Sequence, residues 1–71
     1  MSKFDLEIRC GETILAARKY KTMKGVYGFI ERYNPLLQGT ISDTVLTNIR
    51  NIGVKYFVSD RNGRLVAFGI M

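Results

Sequence analysis

The run from Ser42 to Met71 constrains this chain most, because it reads as a capped helix followed by a hairpin and so sets a framework for everything before it. The Ser42 hydroxyl can accept from the free N–H groups of a first helical turn, and Asp43 puts negative charge where the helix dipole is positive. Val45, Leu46, Ile49 and Ile52 then form one apolar stripe, and Gly53 supplies a left-handed terminator. A helix is predicted over Asp43 to Ile52.

Two β-rich runs follow, Val54 to Ser59 and Arg64 to Ile70, around Asp60-Arg61-Asn62-Gly63. An Asn-Gly pair between such runs is a strong hairpin signal. Loop length matters, since a slip of one residue sends every side chain to the other face. A two-residue Asn62-Gly63 loop groups Val54, Tyr56 and Val58 with Leu65, Ala67 and Gly69. Phe57 and Phe68 then fall among Lys55, Arg61 and Arg64, the layout of a base-stacking platform. A three-residue Arg61-Asn62-Gly63 loop instead collects Val54, Tyr56, Val58, Val66, Phe68 and Ile70 on one wholly apolar face. The second pairing is favoured on that ground, with both phenylalanines read as core or dimer-interface residues.

The stretch from this helix through Gly53 and Asp60-Arg61-Asn62-Gly63 to Ala67 resembles the helix-strand-strand portion of a CBS domain, where a helix ends at Gly and an Asp-x-x-Gly hairpin follows. The resemblance implies an α-β-β geometry over less than half of the chain. The Thr and Asp that touch a nucleotide ribose in CBS domains have no counterpart here, so it implies no adenosine-binding residue.

Upstream, Lys3 to Cys10 alternates, with Phe4, Leu6, Ile8 and Cys10 on one side and Asp5, Glu7 and Arg9 on the other, the pattern of a half-buried strand. Gly11 breaks it. From Glu12 to Tyr33, a wheel at about 100° per residue puts Leu15, Ala16, Tyr20, Met23, Val26, Tyr27 and Ile30 on one face and Arg18, Lys21, Lys24 and Arg32 on the other. That favours helix over 13–24, continuing over 25–33, with Gly25 and Gly28 on the solvent side. The competing reading is two strands, Thr13 to Tyr20 and Val26 to Tyr33, joined by a Lys-rich turn. Asn34-Pro35 ends whatever precedes it, and Leu36 to Ile41 reads as a connecting loop with its leucines under the sheet.

A chain of 71 residues makes one small domain that buries only about 60% of its unfolded surface, and without a disulfide or metal set self-association as a homodimer is a reasonable expectation. The single Cys10 has no histidine to activate it, because the chain contains none, and reads as a buried structural thiol. Catalytic parts are missing as well: there is no His, no Cys or His cluster, no Gly-rich loop ending in Gly-Lys-Ser/Thr, and the six acids are scattered. A non-catalytic protein without a cofactor is expected. No apolar run approaches the roughly 18 residues of a membrane span, and the N-terminus lacks the apolar core of a signal peptide, so a cytoplasmic location is expected.

The net charge of +5 points to an acidic partner, nucleic acid first. No acid lies between Glu12 and Glu31, which leaves Arg18, Lys19, Lys21 and Lys24 without local neutralisation. On a helix, Arg18, Lys21 and Lys24 would form a stripe able to follow a phosphate backbone, with Tyr20 and Tyr27 near enough to stack on bases. The candidate binding residues are therefore Arg18, Lys19, Tyr20, Lys21, Lys24 and Arg32, and secondarily Lys55, Phe57, Arg61 and Arg64.

The expected fold is α+β, in β-α-α-β-β order, with a three-stranded antiparallel sheet (3–10, 54–59, 64–70) and the helices on its apolar face. Phe4, Leu6, Ile8, Val45, Leu46, Ile49, Ile52, Tyr56, Val58, Val66 and Phe68 should fill the core. The expected function is a nucleic-acid-associated accessory factor. The alternative is a protein-binding inhibitor or regulator of a host or defence enzyme, of the kind encoded by bacteriophages and mobile elements, docking on an acidic patch.

Overall fold

The alternation of Lys3 to Cys10 becomes the strand on which the rest assembles: in a computed structural model, which describes residues 2–35 and 42–71, Leu6, Ile8 and Cys10 are all buried. The loop expected at 36–41 lies outside the described residues. In chain order the elements are β1 (Phe4–Cys10), β2 (Thr13–Tyr20), α1 (Met23–Arg32), α2 (Asp43–Ile52), β3 (Lys55–Asp60) and β4 (Leu65–Ile70). The strands form one antiparallel sheet in the order β2-β1-β3-β4. The α+β class stands, but among the described residues the sheet has four strands and the order is β-β-α-α-β-β.

The fourth strand is β2, where the helical wheel favoured a helix. Gly11 and Glu12 connect Cys10 directly to its partner Thr13. Gly11 has φ +60 and Glu12 does not share the positive φ, the pattern of a II′ hairpin turn. The ladder then shifts between Ile8 and Arg9, which leaves Leu15 as an extra residue on β2. This bulge brings Leu15 and Ala16, consecutive in sequence, to the same core. Adjacent apolar residues imitate helical periodicity, which is why the wheel misled. Of the two competing strands, Thr13 to Tyr20 forms and Val26 to Tyr33 does not.

The helical part begins later, at a cap that the long-helix reading concealed. Thr22 Oγ1 accepts from the Gly25 N–H at 3.2 Å, and α1 runs from there with Val26 fully buried and Met23, Phe29 and Ile30 packed on the core. Gly25 does not face solvent: a Cβ there would lie 2.9 Å from Tyr20 Cδ1, so its bareness admits the Tyr20 ring. The space beside Gly28 is open, as expected. Ser42 caps α2, its Oγ accepting from the Val45 N–H at 3.3 Å. Ile49 reaches the core, while Ile52 remains 56% exposed at the helix end.

The hairpin combines both expected registers. Asp60 N–H donates to the Arg64 carbonyl at 2.8 Å and Gly63 has φ +80, the three-residue loop expected from the sequence. A shift between Val58 and Ser59 then makes Val66 an extra residue, restoring the pairs Val58 with Ala67, Phe57 with Phe68, and Tyr56 with Gly69. These are the pairs that a two-residue loop would have made. Phe68 is consequently 69% exposed and Val66 47%, so neither belongs to the core, contrary to expectation. The observed centre is Leu6, Ile8, Ala16, Val26, Val54 and Val58, and every sheet residue in it faces the helices.

Tyr56 lies across Gly69, where a Cβ would come within 2.6 Å of the ring, and Tyr27 meets Tyr56 edge-on at 6.5 Å. Gly69→Val should therefore destabilise the fold by about 1–3 kcal/mol through overpacking, read by urea denaturation. Deletion of Val66 should retain a cooperative thermal transition, since Leu65 stays opposite Ser59 and Ala67 opposite Val58 once the bulge is gone.

Candidate nucleic-acid interface

Both helices occupy the face of Leu6 and Ile8, and the opposite face of the sheet is open. Pleat and register arrange that face in three cross-strand rows: Lys19, Asp5, Ser59 and Leu65; Ala17, Glu7, Phe57 and Phe68; Ile14, Arg9, Lys55 and Ile70. The middle row carries two phenylalanines directly opposite one another, half-buried Phe57 and exposed Phe68.

Charge around this pair is partly neutralised. Arg9 Nε donates to Glu7 Oε2 at 2.8 Å, and its guanidinium carbon lies 5.9 Å from the Phe57 ring centroid. Lys19 Nζ is 3.4 Å from Asp5 Oδ1 in a largely exposed pair of small energetic value. Both acids of the face thus have a basic neighbour, and Lys55 adds positive charge beside Phe57. A recess at this end of the face is lined by Arg9, Gly11, Ile52, Gly53, Lys55 and Phe57.

The opposite end of the sheet is basic. Phe4 pairs with Tyr20 on one side and Asp60 on the other, so the start of β1, the end of β2 and the β3–β4 turn meet there. The Lys3 N–H donates to the Tyr20 carbonyl at 2.9 Å. Lys3, Lys21, Arg61 and Arg64 are gathered at this end by topology, and Lys24 follows in the first turn of α1, which contains no acid. The one acid of the turn, Asp60, is occupied in shaping it: Oδ1 accepts from the N–H groups of Asn62 and Arg64, each at 2.9 Å.

The expected helical stripe of Arg18, Lys21 and Lys24 does not exist, because the three residues belong to a strand, a turn and a helix. Beyond its bulge, neighbours in β2 point to opposite faces. Lys19 faces the open side, whereas Arg18 lies on the helix side with its guanidinium carbon 5.3 Å from the Phe29 centroid. Tyr20 packs on Phe29, with centroids 6.2 Å apart, and on Gly25; it lies half-buried against the core on the helix side and does not share the open face with Phe57. Arg32 sits in the last turn of α1, about 15 Å along the helix from its start. Lys55 and Phe57 share the open face, and Arg61 and Arg64 the basic end. Sequence reasoning missed Lys3 and Arg9 as companions of these residues, and it set Phe68 beside Phe57 only in the two-residue register that it did not favour. The polar side of β1 already displayed Arg9, but only the sheet order brings it beside Phe57.

Among the described residues no three His, Cys, Asp or Glu side chains converge as metal ligands, and Cys10 is buried. No helix among them is long and apolar enough to cross a membrane. No family model, no curated protein and no solved structure matches this chain.

The position of Arg18 implies a packing role. Arg18→Ala should lower stability by about 0.5–1 kcal/mol by removing the guanidinium from the Phe29 ring, measured by chemical denaturation.

Proposed function

We propose that this protein is a non-catalytic accessory factor that binds single-stranded nucleic acid on the open face of its sheet, acting in the cytoplasm. The observation that carries the reading is the pair of half-buried Phe57 and exposed Phe68 on the open face, flanked by Lys55 and Arg9 and standing about three residues, roughly 10 Å, from the basic end. Every nucleobase has a π-face, so two aromatic rings on an open sheet suit unpaired bases of any sequence. Lys3, Lys21, Lys24, Arg61 and Arg64 then supply charge for the phosphates that follow. The positive end of the α1 dipole adds to that potential, with no acidic side chain in the first turn to cancel it.

In this reading Phe57 and Phe68 replace Tyr20 as the stacking residues, and the basic end replaces the helical stripe. Specificity for sequence is not expected, because the face offers stacking and charge and few fixed donors and acceptors.

Anisotropy of labelled single-stranded DNA and RNA tests it. Phe57→Ala and Phe68→Ala should each weaken binding by about 1–3 kcal/mol. Lys21→Glu combined with Lys24→Glu should flatten the dependence of log K on log salt by about 0.7 for each phosphate that is no longer neutralised. No measurable affinity at low salt would eliminate this function. The alternative reading, an inhibitor or regulator docked on an acidic protein surface, draws on the same basic end. A lysate pull-down repeated after nuclease treatment separates the two: loss of the captured partner favours nucleic acid, and retention favours protein.

A further inference from the structure

The two edges of this sheet differ in chemistry. β2 is protected as edge strands usually are: it carries Arg18 and Lys19, it is bulged at Leu15, and Arg18 Nη1 donates to the Ala17 carbonyl at 2.8 Å. β4 reads Leu65-Val66-Ala67-Phe68-Gly69-Ile70, with no charged residue and no proline. Its bulge at Val66 leaves Ala67 to Ile70 in a regular ladder. The Met71 N–H donates to the Val54 carbonyl at 2.8 Å, which sets the phase of the antiparallel pairing. Gly69 and Ala67 therefore turn their backbone groups toward β3, and Phe68 and Ile70 present theirs outward along the edge. The Phe68 and Ile70 side chains are 69% and 79% exposed.

We propose that β4 is a self-association edge, pairing antiparallel with β4 of a second copy about a twofold axis at Gly69, so that two sheets join into one. Charge selects the occupant. Two chains of net charge +5 repel over most of their surfaces, and this strand is where they can meet without opposing like charges. An acidic partner gains nothing from a strand without cations, and its natural seat is the basic end. A strand that is apolar and uncharged over its whole length is its own complement, as a twofold interface requires. The Gly69-centred register sets Phe68 opposite Ile70 of the second copy on the open face, covering the two most exposed apolar side chains of the strand while the Phe68 ring remains on that face. The interface does not depend on nucleic-acid binding.

Light scattering coupled to size exclusion over a concentration series tests it, together with Ile70→Lys and, as a control on the other edge, Ala17→Lys. The expected result is a dimer for the parent chain and for Ala17→Lys. Ile70→Lys should weaken the dimer by about tenfold or more, because a charge then enters each half of the seam, with an unchanged circular dichroism spectrum. Slowed deuterium exchange at the Phe68 and Ile70 amides of the parent, lost in Ile70→Lys, identifies the strand. A parent that stays monomeric at millimolar concentration overturns the proposal. So does a dimer that survives Ile70→Lys, or one abolished by Ala17→Lys instead.

Discussion

One-sided burial on β1 is the constraint that the rest of this structure obeys. Leu6, Ile8 and Cys10 are buried on a strand with neighbours on both sides, so β2 and β3 must each bring apolar residues to the same face. They do so with Ala16 and Val58, and α1 closes that face with Val26. Burying such side chains contributes roughly 1.5–3 kcal/mol each for the larger ones, against a conformational cost of similar total size. The described helices of ten residues each cover one face of the sheet and leave the other to solvent. Asp5, Glu7 and Arg9 on the open side of β1 follow from that, and so does the availability of Phe57.

Each hairpin contains a bulge, and each bulge decides which side chains are seen from outside. In β2 the extra Leu15 joins Ala16 at the core and leaves Ile14 exposed on the open face. In β4 the extra Val66 reverses the parity that the turn had set, so that Gly69 goes beneath the Tyr56 ring and Phe68 outward. The alternative parity would require Phe68 to share the helix side with Tyr56 and Val58. A bare Gly69 beneath an aromatic ring shows how closely that side is already filled. The exposed phenylalanine is thus a consequence of packing on the far side of the same strand.

The charge distribution follows from topology. Lys3, Lys21 and Arg61 are far apart in sequence, yet they meet because an antiparallel sheet brings the start of one strand to the end of its neighbours. A run of cations in the sequence suggested a single stripe on a single element. The strand splits that run by pointing Arg18 and Lys19 to opposite faces, and the sheet rebuilds a basic surface from residues of other elements. The open face and the basic end then adjoin one another with neither described helix between them, the arrangement on which the proposed binding of single strands rests.

The strand at Phe4 to Cys10, the capped helix at Asp43 to Ile52 and the three-residue turn at Arg61 to Gly63 were legible without a structure, because each rests on local chemistry: alternation, a capping hydroxyl, an Asn-Gly pair. The strand at Thr13 to Tyr20 was not, since its bulge disguises the period and its identity depends on pairing with β1. Legibility of the site was similar: Lys55, Phe57, Arg61 and Arg64 were named from the hairpin alone, and the two-residue register offered Phe68 beside Phe57, while Arg9 and Lys3 were not named and the favoured register turned Phe68 inward. What the amino-acid order determined by itself is therefore the α+β class, the β3–β4 turn and the excess of positive charge, all of which depend on near neighbours in the chain or on composition. Which face each aromatic and each cation occupies was decided only by the tertiary structure, because a single bulged residue, placed by packing across the sheet, inverts the face of every residue that follows it in the strand.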